Sequence, residues 1–159
     1  MLTIADSSAL VALALCDGLS LLAQLFDAIN VPRTVFDEVT VKGKPAATIL
    51  RAYLEGKTIP GDVTQTLIMP ARIGQGEMEA MLLYKALHAD YLLLDDLRAR
   101  KIARLNHIRI TGSHGILLLA KHAGIISEVR PFIERLRCSE IYVSEGLIRK
   151  TLELANETG

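Results

Sequence analysis

Aromatic side chains make up only 4% of the 159 residues, against 50% hydrophobic residues overall, so any buried core is aliphatic, and there is enough for one core with little left over. A single domain spanning residues 1–159 is expected. Net charge is missing too. The 18 basic and 18 acidic side chains cancel, which argues against a bulk, non-specific nucleic-acid coater and leaves any such affinity to a local patch. Cysteine is scarce: Cys16 and Cys138 lack C-x-x-C or histidine-rich spacing, so a zinc site or disulfide framework is not expected, and two buried thiols in a reducing cytosol are. Long hydrophobic runs are also lacking. The run Ala9 to Cys16 is far shorter than the ~20 residues a membrane span needs, so no signal peptide, no membrane segment and a cytoplasmic location are expected.

What is present alternates between strand-like and helix-like segments. Leu2 to Ala5 reads as a strand that runs into Asp6-Ser7-Ser8, whose oxygens suit a helix start. A helical stretch from Ser20 to Phe26 precedes a brief strand, Ile29 to Val31, closed by Pro32. Thr34 to Asp37 fits a capping box, with Thr34 as N-cap and Asp37 at the third helical position, which puts Glu38 in a first turn. Glycine and proline crowd the segment from Lys42 to Gly61 around one helical stretch, Ala46 to Leu54. A strand is expected from Val63 to Ile68, and a long helix opens at Gly74-Gln75-Gly76-Glu77. Tyr91 to Leu94 is an unbroken apolar run of the kind buried parallel strands show, ending in Asp95-Asp96. A basic helix from Leu97 to Leu105, a strand from Ile108 to Ile110, a turn at Thr111-Gly112 and three more helices complete the chain. The pattern predicts an α/β fold, a mostly parallel sheet of about five strands covered on both faces.

Ligands of parallel α/β sheets gather beyond the carboxyl ends of the strands. Asp6 and the Asp95-Asp96 pair stand at such ends, and Glu38 and Glu77 stand in first helical turns, where the dipole favours anions. Acids brought to one edge repel by about 3 kcal/mol for a pair roughly 5 Å apart at an effective dielectric near 20, and a divalent cation removes that cost. Hard oxygen ligands without histidine or thiol nearby suit Mg²⁺ or Mn²⁺ rather than zinc. Each acid also has a plainer role open to it: Asp6, Asp95 and Asp96 as helix caps, Glu77 as a dipole partner, Glu38 as a solvated side chain.

Five short motifs, in order, resemble the PIN superfamily over about Leu2 to Ala155: Ile4-Ala5-Asp6-Ser7-Ser8, Val31-Pro32-x-x-Val35-x-x-Glu38, Gly74-x-Gly76-Glu77, Leu94-Asp95-Asp96-x-x-Ala99-Arg100, and Thr111-Gly112-Ser113-x-Gly115 onward. The closest resemblance is to a branch of small prokaryotic PIN-like proteins similar to VapC-type toxin ribonucleases. That resemblance implies a three-layer α/β/α fold and a Mg²⁺- or Mn²⁺-dependent ribonuclease. Its catalytic acids map onto Asp6, Glu38, Glu77 and Asp96, and Asp95 is an extra metal-site carboxylate. It also implies RNA as substrate, single-stranded or structured, a homodimer, and a toxin paired with a small antitoxin protein. The chain departs from the toxin-like pattern where Leu94 stands in place of a threonine, so that the missing hydroxyl falls to Ser7, Ser8, Thr111 or Ser113.

Arg98, Lys101 and Arg104 recur every third residue beside the acid pair and are candidates for holding RNA phosphates; the alternative is a solvated helix face. Aromatic residues are too few and too scattered to propose a base-stacking platform. The four histidines show no ligand spacing and read as surface or helix-end residues. Two other functions compete with the nuclease. One is a catalytically weak or inactive PIN-like module that binds RNA or protein. The other, an aspartate-phosphorylated switch domain, needs an acid pair after the first strand, where this chain has Asp6 followed by serines.

Overall fold

The computed structural model describes residues 1–61 and 64–158. Five strands form one all-parallel sheet: β1 (Leu2–Ala5), β2 (Ala28–Pro32), β3 (Thr58–Ile59), β4 (Tyr91–Leu93) and β5 (Ile110–Thr111), in the spatial order β3-β2-β1-β4-β5. The central apolar runs pair as their composition predicts, with Ile4 opposite Leu92 and Ala5 opposite Leu93. Side chains alternate across this pair. Ala5 and Leu93 face one apolar cluster, whereas Ile4, Leu92 and Leu94 face the other.

Helices cover both faces. The first cluster takes in α1 (Ser7–Leu15), α2 (Ser20–Leu25), α3 (Arg33–Val39), α4 (Ala47–Tyr53), α7 (Ser113–His122), α8 (Arg130–Arg137) and α9 (Glu145–Leu154). The second takes in α5 (Gln75–Ala86) and α6 (Leu97–Leu105). This is the expected three-layer α/β/α arrangement, with the aliphatic core divided by the sheet. From β1 the chain builds outward through β2 to β3, then crosses to β4 and builds the other way to β5. The direction in which strands are added therefore reverses between β1 and β4, although the two run parallel. In open parallel sheets a crevice opens at that point, because the loops following the two central strands diverge toward opposite faces.

Several local expectations are corrected. Val63 lies outside the described residues, and the backbone of residues 64–68 is not in a strand. The edge strand is Thr58–Ile59, which pairs with Val31 and Pro32. Ile68 is held instead by the side chain of Asn106, which accepts from its N–H at 2.7 Å and donates to its carbonyl at 2.9 Å, a pairing that sequence pattern cannot register. The last strand, Ile110–Thr111, starts two residues later than the expected Ile108 to Ile110, because Ile108 is spent in the core behind α6. The capping box at Thr34 does not form. Pro32, with φ −70° and ψ 155°, already sets the helix entry, so α3 begins at Arg33, Thr34 turns its hydroxyl to Glu79, and Asp37 pairs with Arg33 at 3.1 Å. Cys16 is buried, but Cys138 is exposed because it follows the last turn of α8. No helix among the described residues is long and apolar enough to cross a membrane.

Asn106 is buried and also donates to the carbonyl of Ile102 at 2.9 Å. It ties the segment leading to Gly74 onto α6. Replacing Asn106 with alanine is expected to cost about 1–3 kcal/mol, since buried backbone groups lose their partners, and to make residues 64–73 more susceptible to protease. Urea unfolding together with limited proteolysis measures both, and a change below about 0.5 kcal/mol would show that the segment is held by other contacts.

Candidate metal centre

Asp6 follows the last residue of β1 and occupies the N-cap position of α1, yet its side chain makes no capping bond. Its backbone N–H donates to the carbonyl of Leu93 at 2.9 Å, extending the β1–β4 pairing by one step. Ser8, the second residue of α1, joins the two strand ends. It donates to Asp6 Oδ2 at 3.3 Å and accepts from the N–H of Asp95 at 3.3 Å. Asp95 is gripped further by Ser113, whose N–H and hydroxyl each donate to it at 2.7 Å. Gly112 permits this approach: a Cβ there would lie 2.8 Å from Asp95 Oδ1 and 3.0 Å from Arg100 Nη1.

Glu38 comes from α3 and Glu77 from the first turn of α5. Ser7 donates to Glu38 Oε2 at 2.6 Å, and the carboxylate rests on Gly76, where a Cβ would lie 2.7 Å from Oε1. Glycine is required for that contact. Glu77 reaches back to accept from the N–H of Gly74 at 2.8 Å, the half of a capping box that a glycine N-cap can still make. Asp6, Glu38, Glu77 and Asp95 line one cleft of about 510 Å³. Asp96 stands beside it: its Oδ1 caps α6 by accepting from Ala99 N–H at 2.8 Å, and it shares an adjoining hollow with Glu77, Arg72 and Arg98. Ser7, Ser8 and Ser113 each bond a carboxylate. The Thr111 hydroxyl bonds none among the described residues. Leu94, fully buried, serves the core beneath α5 and α6.

The electrostatics follow from burial and crowding. Asp6 is 2% exposed. Burial pushes its carboxyl up to about 7, aided by the charges of Glu77 and Glu38 and opposed by the backbone N–H groups of Ser7 and Ser8. Burial also raises Glu77; the Gly74 N–H and the charge of Arg98 act against the shift, while Asp96 and Glu38 add to it. Among the described residues no three acidic, histidine or cysteine side chains converge on a single point. The carboxylates are instead held apart on their own hydroxyl and amide partners. Asp6 Oδ1 nevertheless has no hydrogen-bond partner among the described residues. A buried carboxylate oxygen with a free lone pair, in a cleft whose other donors are carboxylates and hydroxyls, fits a hard divalent cation.

The family model DUF3368, described as a PIN domain, matches residues 2–157. The chain belongs to the PIN-domain family. No curated protein and no solved structure matches it. A PIN domain is a nuclease-type fold that generally uses divalent metals and typically binds RNA.

In this PIN domain Arg98, Lys101 and Arg104 are all exposed on α6 and take part in no ion pair among the described residues. Arg98 is the one beside the acids. Arg100, carried in the fourth motif, is half-buried and keeps an Nε without a partner among the described residues. Sequence reasoning missed two further groups. Arg72 lines the Arg98 hollow, and only its place just before Gly74 hinted at it. Ile141 and Tyr142 close one end of the acid cleft, and no local motif marks them. His114 is not a surface residue. It is 8% exposed, and Nδ1 lies 2.7 Å from Thr151 Oγ1; burial lowers its pKa, with Asp95 opposing the shift.

The folded-state pKa of Asp6 lies above its ordinary 3.8, so the folded chain holds this proton more tightly than the unfolded one. Metal-free protein therefore carries no penalty from Asp6 below pH about 4 and loses stability as pH rises toward about 7, by up to about 4 kcal/mol. Asp6→Asn removes this slope. Unfolding in chelator between pH 4.5 and 8 should show the variant gaining on wild type as pH rises, whereas Mn²⁺ at pH 7.5 should raise the melting temperature of wild type only. Parallel pH profiles for the two proteins would show that another group titrates.

Proposed function

We propose that this PIN domain is a Mg²⁺- or Mn²⁺-dependent endoribonuclease in which Asp6, Glu38, Glu77, Asp95 and Asp96 form the metal-binding acid set. The observation that carries the reading is the unpartnered, buried Asp6 Oδ1 at the meeting point of β1 and β4, surrounded by carboxylates. The bound ion would neutralise charge on the phosphodiester and acidify the attacking water. The chain supplies the rest. Ser8 and Ser113 hold Asp6 and Asp95 in register, Ser7 steadies Glu38, and the Gly74 N–H steadies Glu77. Arg98, Lys101 and Arg104, which take part in no ion pair among the described residues, could take the phosphates on either side of the scissile bond.

A specific observation favours the second reading, a PIN-like binding module. Each oxygen of Asp95 already accepts a bond from Ser113, one oxygen of Asp96 caps α6, and one of Glu77 holds the Gly74 N–H, so three of the five acids already have structural work. The resemblance to VapC-type toxins, with an antitoxin partner, is the finer form of the first reading.

RNA cleavage separates the two. Wild type should cut single-stranded RNA with Mg²⁺ or Mn²⁺ and stop in chelator. Asp6→Asn and Asp96→Asn should each lose about a hundredfold or more in rate, the scale expected when a group stabilising transition-state charge is removed. Asp95→Asn should be milder, because its Ser113 contacts survive in part. Cleavage by Asp6→Asn at the wild-type rate, or in chelator, would defeat the metal mechanism; RNA binding without cleavage would favour the module.

Neutralising all three α6 cations to alanine should weaken RNA binding without regard to sequence and lower the salt slope by about 0.7 to 1 per lost phosphate contact. Filter binding over a salt series measures this, and an unchanged slope would return the helix to a solvated face.

A further inference from the structure

The acid cleft ends at Tyr142, where a second cavity begins. Tyr142 and Asp95 line both. This second cavity, about 600 Å³, lies among the start of α6, α7 and α9. Leu97, Leu147 and Leu154 wall it and are 75%, 46% and 58% exposed, an apolar surface directly beside a cleft of acids. Arg100, His114 and Lys150 also line it. Their chemistry is constrained. Thr151 Oγ1 lies 2.8 Å from the carbonyl of Leu147 and 2.7 Å from His114 Nδ1; with the hydroxyl proton given to the carbonyl, the ring donates from Nδ1. Nε2 is left as an acceptor, and burial favours the neutral ring. Arg100 offers donors and Lys150 a charge. Tyr142 itself is 90% exposed and makes no hydrogen bond among the described residues, so its ring faces are bare at the lip between the two cavities.

Resting on the ribonuclease reading, we propose that this second cavity is a nucleobase subsite: an unpaired base adjacent to the scissile phosphate stacks on Tyr142 and enters the cavity, where Arg100 donates to its edge and His114 accepts from it. Three features select this occupant. The cavity is continuous with the acid cleft through Asp95 and Tyr142, so a strand seated at the acids passes over it. Its walls are apolar with a few polar groups, as binding sites for flat aromatic ligands are. An exposed aromatic ring beside cations is the combination that binds single strands. A base inside a duplex is stacked on both faces and cannot enter, so the substrate class is single-stranded or looped RNA.

The test uses single-stranded RNA oligonucleotides carrying one 2-aminopurine, titrated with the whole chain in chelator so that nothing is cut, with cleavage measured separately in Mn²⁺. Wild type should change the probe's fluorescence on binding. Tyr142→Ala should weaken binding about tenfold, within the range of one lost base–aromatic stack, and abolish the fluorescence change. Tyr142→Phe should restore both, because the ring face is what stacks. Fully double-stranded RNA should compete at least about tenfold less well than the single strand. Equal affinity and equal fluorescence change for wild type and Tyr142→Ala would overturn the proposal, as would a Tyr142→Phe variant no better than Tyr142→Ala, or no RNA binding by wild type. A loss of dimer mass in Tyr142→Ala with RNA binding intact would overturn it too and assign the face to a second copy of the chain. Failure of the metal mechanism reads differently: Tyr142-dependent stacking persists while Mn²⁺-dependent cleavage is absent.

Discussion

The parallel pairing of β1 with β4 is the constraint on which the site depends. With Ala5 opposite Leu93 and the Asp6 N–H bonded to the Leu93 carbonyl, the first residues beyond each strand emerge side by side at the point where the sheet changes direction. One consequence is that Asp6 and Asp95, far apart in the chain, are bridged by one serine hydroxyl. A slip of one residue would put Ala5 and Leu93 on opposite faces of the sheet and break the pairing that brings the two acids together. The aliphatic core enforces the register, since Ile4, Leu92 and Leu94 fill one layer while Ala5 and Leu93 fill the other.

That same pairing places a carboxylate where a carboxylate is costly. Asp6 is almost wholly buried, one of its oxygens lacks a partner, and two glutamates add their charge. The surrounding hydroxyls and amides reduce the cost without removing it. Ser8 reaches only one oxygen, and the N-cap position brings no capping bond. Strain of this kind at the end of a central strand is characteristic of a site built for a ligand that is itself charged. Small residues make it feasible: without glycine at 76 and 112, Glu38 and Asp95 would be displaced.

Much of this was legible in the residues. The apolar runs at Leu2 to Ala5 and Tyr91 to Leu94 read as strands because buried parallel strands need side chains that are apolar on both faces. The acids that follow them read as a site because strand ends in such sheets are where loops converge. Local signals failed where a neighbour in space competed with a neighbour in sequence. Thr34 looked like an N-cap until Pro32 set the helix entry and Glu79 took its hydroxyl. The β-like run ending at Ile68 lost its strand to Asn106. His114 looked like a surface residue until Thr151, from a later helix, covered it.

By itself the sequence determined the α/β/α class, the central strands and the grouping of the acids at one sheet edge, because hydrophobic period and turn chemistry are local and act along the chain. Tertiary structure alone decided which acids share a cleft. Asp95 lines the cleft with Asp6 while Asp96 turns to cap α6, although the two are adjacent, because successive side chains at a strand end point in different directions and only packing selects between them. It also decided that Tyr142 stands at the mouth of that cleft: its distance from the acids along the chain carries no information, and only the return of the last helices against α7 and the loop after β4 brings its ring there.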